Sequence, residues 1–350
     1  MLFRSYADAV ILQQVPLGFQ WPTADPFLFC VHHLDHYPSG NGSFGPQGSL
    51  AGRNIGSDFE PLDGWRMYHG STVPGFPEHP HRGFETITFA RRGHIDHSDS
   101  MGAAARFGRG DVQWMTAGRG VVHSEMFPLL DTEGPNTCEL FQIWLNLPAV
   151  DEMVEPHFTM LWSEDIPRHR HVDAAGRATE VTVIAGAFGD LRPPAPPPSS
   201  WASRSEADLA IWHVVMEAGA EFVLPAATGD DTVRVLYVFE GSVRVGDASI
   251  AGETGVVVDA SMCAPLVAGD RGTEILVLQA RPIGEPVAQY GPFVMNTRAE
   301  IEQAFLDYRN TGFGGWPWPQ PDPVHGGDAG RFARHADGRL EAPPTPTLAG

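Results

Sequence analysis

Two short runs of this chain carry side chains that could hold an ion. The first is His79-Pro80-His81, inside Gly75-Phe76-Pro77-Glu78-His79-Pro80-His81-Arg82-Gly83-Phe84-Glu85. The second is His123-Ser124-Glu125, after Gly118-Arg119-Gly120-Val121-Val122. Side chains of an extended segment alternate, so His79 and His81 share one face, and so do His123 and Glu125. If the first strand stays regular, Glu85 shares the face of His79 and His81. Two such pairs on neighbouring strands can converge on one ion. Neutral imidazoles with one carboxylate suit Fe(II), Mn, Ni, Cu or Zn. A lone His-x-His pair on a strand is more often no ligand pair; a His-x-Glu about forty residues later makes the pattern far more specific.

The other histidines read differently. His32, His33 and His36 have irregular spacing and no partner motif, which favours packing or surface roles. His94 and His97 fall on opposite faces of one strand, cannot both aim at one ion, and read as structural. His169 and His171 read as part of an Arg/His loop with no functional role. Phe76, Trp114 and Met115 are core candidates whose closeness to the two runs also makes them candidates to line a pocket. Arg82, next to His81, is placed to pair with an acid and so orient a ligand.

Short strands must position these residues. Glycine and proline number 39 and 31, and such punctuation breaks long helices. Strand signals recur at 84–89, 180–184, 232–239 and 274–278. A weak internal repeat relates Arg92-Gly93-His94 and Gly108-Arg109-Gly110-Asp111 to Glu240-Gly241-Ser242 and Gly252-Glu253-Thr254-Gly255. The fold class is therefore all-β, two copies of one β unit. One helix is expected: Thr297-Arg298-Ala299-Glu300 reads as a capping box, Ile301, Ala304, Phe305 and Tyr308 recur at helical spacing, and Gly312 stops it. The expected organisation is an N-terminal barrel over 1–150 and a C-terminal barrel over 151–313, with a Pro-rich insertion at 189–205. A Gly/Pro-rich, poorly ordered tail at 314–350 follows.

Composition removes whole classes of function. The 350 residues carry 23 basic and 43 acidic groups, for a formal net charge of -20. Every basic residue is arginine. Without lysine there is no P-loop, Schiff-base or general-base lysine. The acidic balance argues against direct nucleic-acid binding and against anionic membrane surfaces. Cys30, Cys138 and Cys263 are too scattered for a disulfide framework and fit a reducing compartment. With no leader pattern and no apolar run of roughly 18 residues, a cytoplasmic location is expected.

The wording around the two runs resembles a known family. The spacing G-x3-HxH-x3-E-x7-G from Gly75 to Gly93 is similar to the first metal motif of cupins. Phe76 to Thr86, Gly110 to Met126, Gln142 to Pro148 and Gly291 to Thr297 resemble the signatures of pirins. That resemblance, spanning residues 20–314, implies two tandem jelly-roll-like cupin barrels with a short C-terminal helix. It implies one divalent transition metal, Fe(II) first, with Mn, Ni, Cu, Co or Zn as alternatives. His79, His81, His123 and Glu125 would hold it. Parity alone leaves Glu85 open as the fourth ligand; the pirin pattern favours Glu125 and gives Glu85 a supporting role. Counting back from Gly241 puts Ala227 and Gly229 where ligands would stand, so the second barrel is expected to be metal-free. The implied activity is a quercetinase-type dioxygenase acting on a small aromatic flavonol and O2, with Glu125 as base. The alternative is a metal- or redox-sensing regulator that works through a protein partner.

Overall fold

The structure, a computed structural model, describes residues 10–345. It folds into two compact units, neither of them contiguous. One unites the chain up to Val31 with Asp165–Gly284; the other unites His32–Glu164 with the chain from Glu285 onward. The contiguous boundaries expected at 150 and 313 are corrected accordingly. The reason is strand pairing. The first strand, β1 (Ile11–Pro16), needs a partner for its backbone groups and finds it far along the chain, in the unit that Asp165–Gly284 builds.

The unit with the two histidine runs is built on the part of β2 (Phe27–Tyr37) from His32 onward, β3 (Gly75–His81), β4 (Phe84–Arg92), β5 (His94–Asp99), β6 (Ala104–Gly108), β7 (Asp111–Thr116), β8 (Val121–Met126), β9 (Asn136–Asn146) and β10 (His157–Leu161). One sheet runs β10-β7-β4-β9-β2. The second begins β3-β8-β5-β6. Strands β4, β7 and β8 are buried almost throughout, as their runs of β-branched and aromatic residues anticipate. Gly93, with φ +75, turns the chain from β4 into β5; a Cβ there would stand 2.8 Å from the Thr137 carbonyl oxygen.

The other unit contains β11 (Arg168–Val172), β12 (Ala178–Ala185), β13 (Ala210–Met216), β14 (Glu221–Leu224), β15 (Val233–Val245), β16 (Ala248–Ala251), β17 (Thr254–Asp259) and β18 (Ala264–Ala280). Its main sheet runs β1-β17-β15-β18-β13-β12-β11. Val183, Trp212, Leu236, Val256 and Val277 form part of one apolar core. The internal repeat is visible here too. Gly241, like Gly93, has positive φ (+76) and lets another backbone approach, here the Gly272 carbonyl 2.1 Å from where its Cβ would be.

After Gly284 the chain adds β19 (Ala288–Tyr290), β20 (Phe293–Met295), the helix α1 (Arg298–Thr311), β21 (Phe332–Arg334) and β22 (Leu340–Glu341) to the histidine-bearing unit. The helix starts and stops as its sequence requires. Thr297 Oγ1 caps the Glu300 N–H at 3.3 Å, and Gly312 ends it at φ +56 with its N–H on the Tyr308 carbonyl. No helix among the described residues is long and apolar enough to cross a membrane.

The expectation of a poorly ordered tail is corrected for the described part of 314–345; residues 346–350 lie outside it. Strand β21 pairs antiparallel with β6, and β22 with β21. The tie is electrostatic as well. Arg106, fully buried on β6, grips both carboxylate oxygens of Asp96 at 2.7 Å. Its remaining N–H groups reach the carbonyls of His325 (2.7 Å), Gly326 (2.9 Å) and Ala329 (2.9 Å). A buried guanidinium needs every donor satisfied, and here the C-terminal segment supplies three of the acceptors.

Candidate metal centre

Strands β3 and β8 pair antiparallel with His79 directly opposite His123, and a bulge between Phe76 and His79 sets this register. Directly opposed residues project to the same side. The rings of His79, His81 and His123 accordingly converge, with centroids 4.8, 4.4 and 4.9 Å apart. Their ligating nitrogens all lie within 4.8 Å of one another, the one such group of three among the described residues.

The hydrogen bonds leave bare nitrogens facing this point. His79 Nδ1 lies 2.8 Å from the Pro77 carbonyl and His81 Nδ1 3.3 Å from the Pro292 carbonyl. A carbonyl only accepts, so each Nδ1 carries its proton and each Nε2 keeps its lone pair. Neither nitrogen of buried His123 has a partner. Unpartnered buried nitrogens are costly, and three lone pairs aimed together fit a divalent transition ion.

Burial also keeps these imidazoles neutral. It pushes His79 down to about 4 and His81 and His123 well below the ordinary imidazole value. Burial raises the Glu125 carboxyl, while the Thr88 hydrogen bond lowers it. The sign of the pH dependence follows. Above about 6.5 the three imidazoles are neutral folded or unfolded and cost nothing. As pH falls from 6.5 towards 4 the unfolded chain takes up protons that the folded sites refuse, so stability drops. Glu125 opposes this as a single group against three. The thermal midpoint of metal-free protein is therefore expected to fall between pH 6.5 and 4, measured by a scan at each pH; a midpoint that rises over that window would overturn this account.

Glu125 stands beside the imidazoles, outside the three-histidine group. Its Oε1 accepts from the Thr88 hydroxyl at 2.8 Å. Thr88 lies on β4, in the facing sheet, opposite Gln113 and Gln142. The face of β4 that carries Thr88 also carries Phe84 and Thr86, with Met115 opposite Thr86 on β7 and Trp144 opposite it on β9. The Phe84 and Trp144 rings stand 5.1 and 5.4 Å from His81. Met115 therefore shares the face that reaches Glu125.

Two expectations are corrected by the same register. Glu85 does not share the face of His79 and His81, because β3 ends at His81 and the chain turns at Gly83 (φ +86) before β4 begins. Alternation from Thr88 puts Glu85 on the opposite face of β4, where its Oε1 accepts from Thr116 Oγ1 at 2.6 Å. Trp114, next to Met115, likewise points to that opposite face. It is fully buried, and Ile87 stands across from it. Phe76 packs among Tyr68, Phe59 and Phe127 while its ring lies 6.3 Å from His79. Arg82 does pair with an acid: its Nη1 meets Asp307 Oδ2 at 2.7 Å and its Nε the Arg119 carbonyl at 2.6 Å.

Sequence reasoning missed His97. It sits opposite Glu125 in the β5–β8 register, with Asp99 opposite His123. Its ring lies 5.5 Å from that of His123, and its Nε2 is 3.2 Å from Asp99 Oδ2. The contrast with His94 on a single strand was legible; the cross-strand register that brings His97 to the site was not. Trp144 and Thr88 were missed for the same reason.

The chain is similar to known proteins in sequence and fold. The family model Pirin matches residues 54–145, and the model for the pirin C-terminal cupin domain matches 211–314. A Pseudomonas aeruginosa protein provisionally named a quercetin 2,3-dioxygenase is 38% identical over 239 residues, covering 68% of this chain and 79% of its own. A pirin-like protein of Solanum lycopersicum is 34% identical over 279 residues, covering 75% of this chain and 86% of its own. The crystal structure of a quercetin 2,3-dioxygenase from Acinetobacter baumannii superposes with a TM-score of 0.66 at 27% identity, over 88% of this chain and 99% of that one. With two cupin domains and matches of this extent, the chain belongs to the pirin family.

Proposed function

We propose that this protein is a metal-dependent dioxygenase that opens the ring of a flavonol-type aromatic substrate with O2. The observation that carries the reading is the set of three neutral imidazoles, His81 and His123 buried and His79 half-buried, whose ligating nitrogens converge beside an acceptor carboxylate. The names borne by the relatives point the same way.

His79, His81 and His123 would hold a divalent transition metal, Fe(II) first, with Glu125 as the carboxylate ligand. Such an ion supplies Lewis acidity and one-electron chemistry when bound. The chain's own residues do the rest. Glu125 accepts the proton of the substrate hydroxyl; its desolvated carboxylate holds a proton more readily than an exposed one, which suits a base working near neutral pH. Thr88 fixes one of its oxygens during that transfer. Phe84, Met115 and Trp144 provide apolar walls for a flat guest, and the buried setting keeps water from competing for the proton.

The test is direct. Purified protein loaded with Fe(II) or Mn(II) is mixed with quercetin in air, and flavonol absorbance and CO release are followed. Absorbance loss with stoichiometric CO supports the proposal. No turnover with any divalent ion tried, or turnover unchanged in His81→Ala, would sink it.

A further inference from the structure

The residue that controls Glu125 is Thr88. Its hydroxyl lies 2.8 Å from Glu125 Oε1 and 2.8 Å from Oε1 of Gln142, which stands directly opposite it on β9. A hydroxyl has one proton to give. One proton cannot serve two acceptors, so with Glu125 ionised the Gln142 amide, placed with its oxygen towards Thr88, is assigned the flipped orientation, in which its N–H donates to the Thr88 hydroxyl and the hydroxyl donates to the carboxylate. Thr88 is 1% exposed and Glu125 6%, so the Thr88–Glu125 bond is shielded from solvent, while the bond to Gln142 is half-buried. The β-branched side chain of Thr88 is stiff, and it is set on a central strand paired on both sides, with β7 and with β9.

We infer that Thr88, supported by Gln142, is a positioning residue: it occupies Oε1 of Glu125 and leaves a single carboxylate oxygen, Oε2, for the ion held by the three histidines. The inference rests on the metal centre argued above and needs no particular substrate. Its consequence is a coordination limit. Three imidazole nitrogens and one carboxylate oxygen leave open positions for a reacting molecule; a carboxylate free to turn both oxygens to the ion would close one of them.

Co(II) tests this because its visible d–d bands weaken as ligands are added. Full-length protein is loaded with Co(II), and spectra and affinities are compared for wild type, Thr88→Val, Thr88→Ser and Gln142→Leu. Thr88→Val is expected to weaken the bands, the change that decides the question, and to alter Co(II) affinity by about 10-fold, the lower end of the range for a residue just behind a ligand. Thr88→Ser should keep the wild-type spectrum, and Gln142→Leu should move in the direction of Thr88→Val by less. Adding Glu125→Gln to Thr88→Val should abolish the change. The inference is overturned if Thr88→Val keeps the wild-type spectrum, if Ser and Val behave alike, or if the shift persists with Glu125→Gln. Wild-type protein that takes up no Co(II) would overturn the metal centre and this role together. Uptake without flavonol turnover would remove only the substrate reading.

Discussion

His123→Ala should abolish stable metal binding and with it any oxygenase turnover. The ring contributes one of only three convergent imidazoles, and the other two lie together on β3. Changing a partner merely behind a ligand costs about 10- to 100-fold in affinity or activity, so deleting a ligand should exceed the upper figure. Metal analysis after dialysis and a turnover assay both read this out. The metal-free protein provides an internal control. Its two unpartnered His123 nitrogens cost about 1–3 kcal/mol each, and alanine removes that cost while opening a cavity, which costs about 2–5 kcal/mol in the opposite direction. The apo thermal midpoint is therefore expected to move little while the metal-induced rise in midpoint disappears. A variant that keeps both metal and turnover would remove His123 from the centre.

The second large effect lies far from the imidazoles in sequence. Ending the chain at Gly314 should destabilise the histidine-bearing unit by about 3–5 kcal/mol, because three hydrogen bonds to the buried Arg106 charge are lost at roughly 1.5–3 kcal/mol each and water regains part of that. For a unit of this size that is roughly a 6–20 °C loss in its thermal midpoint. Arg106 would keep Asp96 but lose three carbonyl acceptors, and β6 would lose β21. The cut also reaches the site's frame. Trp318 Nε1 donates to the Asp99 carbonyl at 2.8 Å, and the Glu78 N–H, next to His79, donates to the Pro321 carbonyl at 2.7 Å. Metal affinity should fall along with stability. Calorimetry of full-length and shortened protein checks this; equal midpoints would show the segment to be dispensable.

Much of this centre was legible in the sequence. Alternation along a strand is a local rule, so His79-x-His81 and His123-x-Glu125 announced their shared faces. The capping box at Thr297 and the stop at Gly312 are local too, and the helix formed where they said. What escaped depends on partners distant in the chain. Glu85 was mis-faced because two residues, Arg82 and Gly83, break the alternation, and nothing local marks how far Gly83 turns. His97 and Thr88 reach the site through cross-strand register, which no single strand encodes. The tail reads as loose by composition, and composition holds no trace of a buried arginine at position 106 that has Asp96 but lacks three further acceptors until residues 325–329 arrive.

The interleaving of the two units also sets a clock on synthesis. The strand Ile11–Pro16 is made first, yet its partner Thr254–Asp259 is some 240 residues away. The histidine-bearing unit is mostly translated by residue 164, yet it awaits Pro292 behind His81 and Phe332–Arg334 beside β6. A growing chain folds its domains from the N-terminus as they emerge, and here the first unit waits for residues 254–284 and the histidine-bearing unit for residues 325–334. The emerging polypeptide thus carries an unpaired sheet edge and an unsatisfied Arg106 through most of its synthesis, and chaperone demand should be set by that interval.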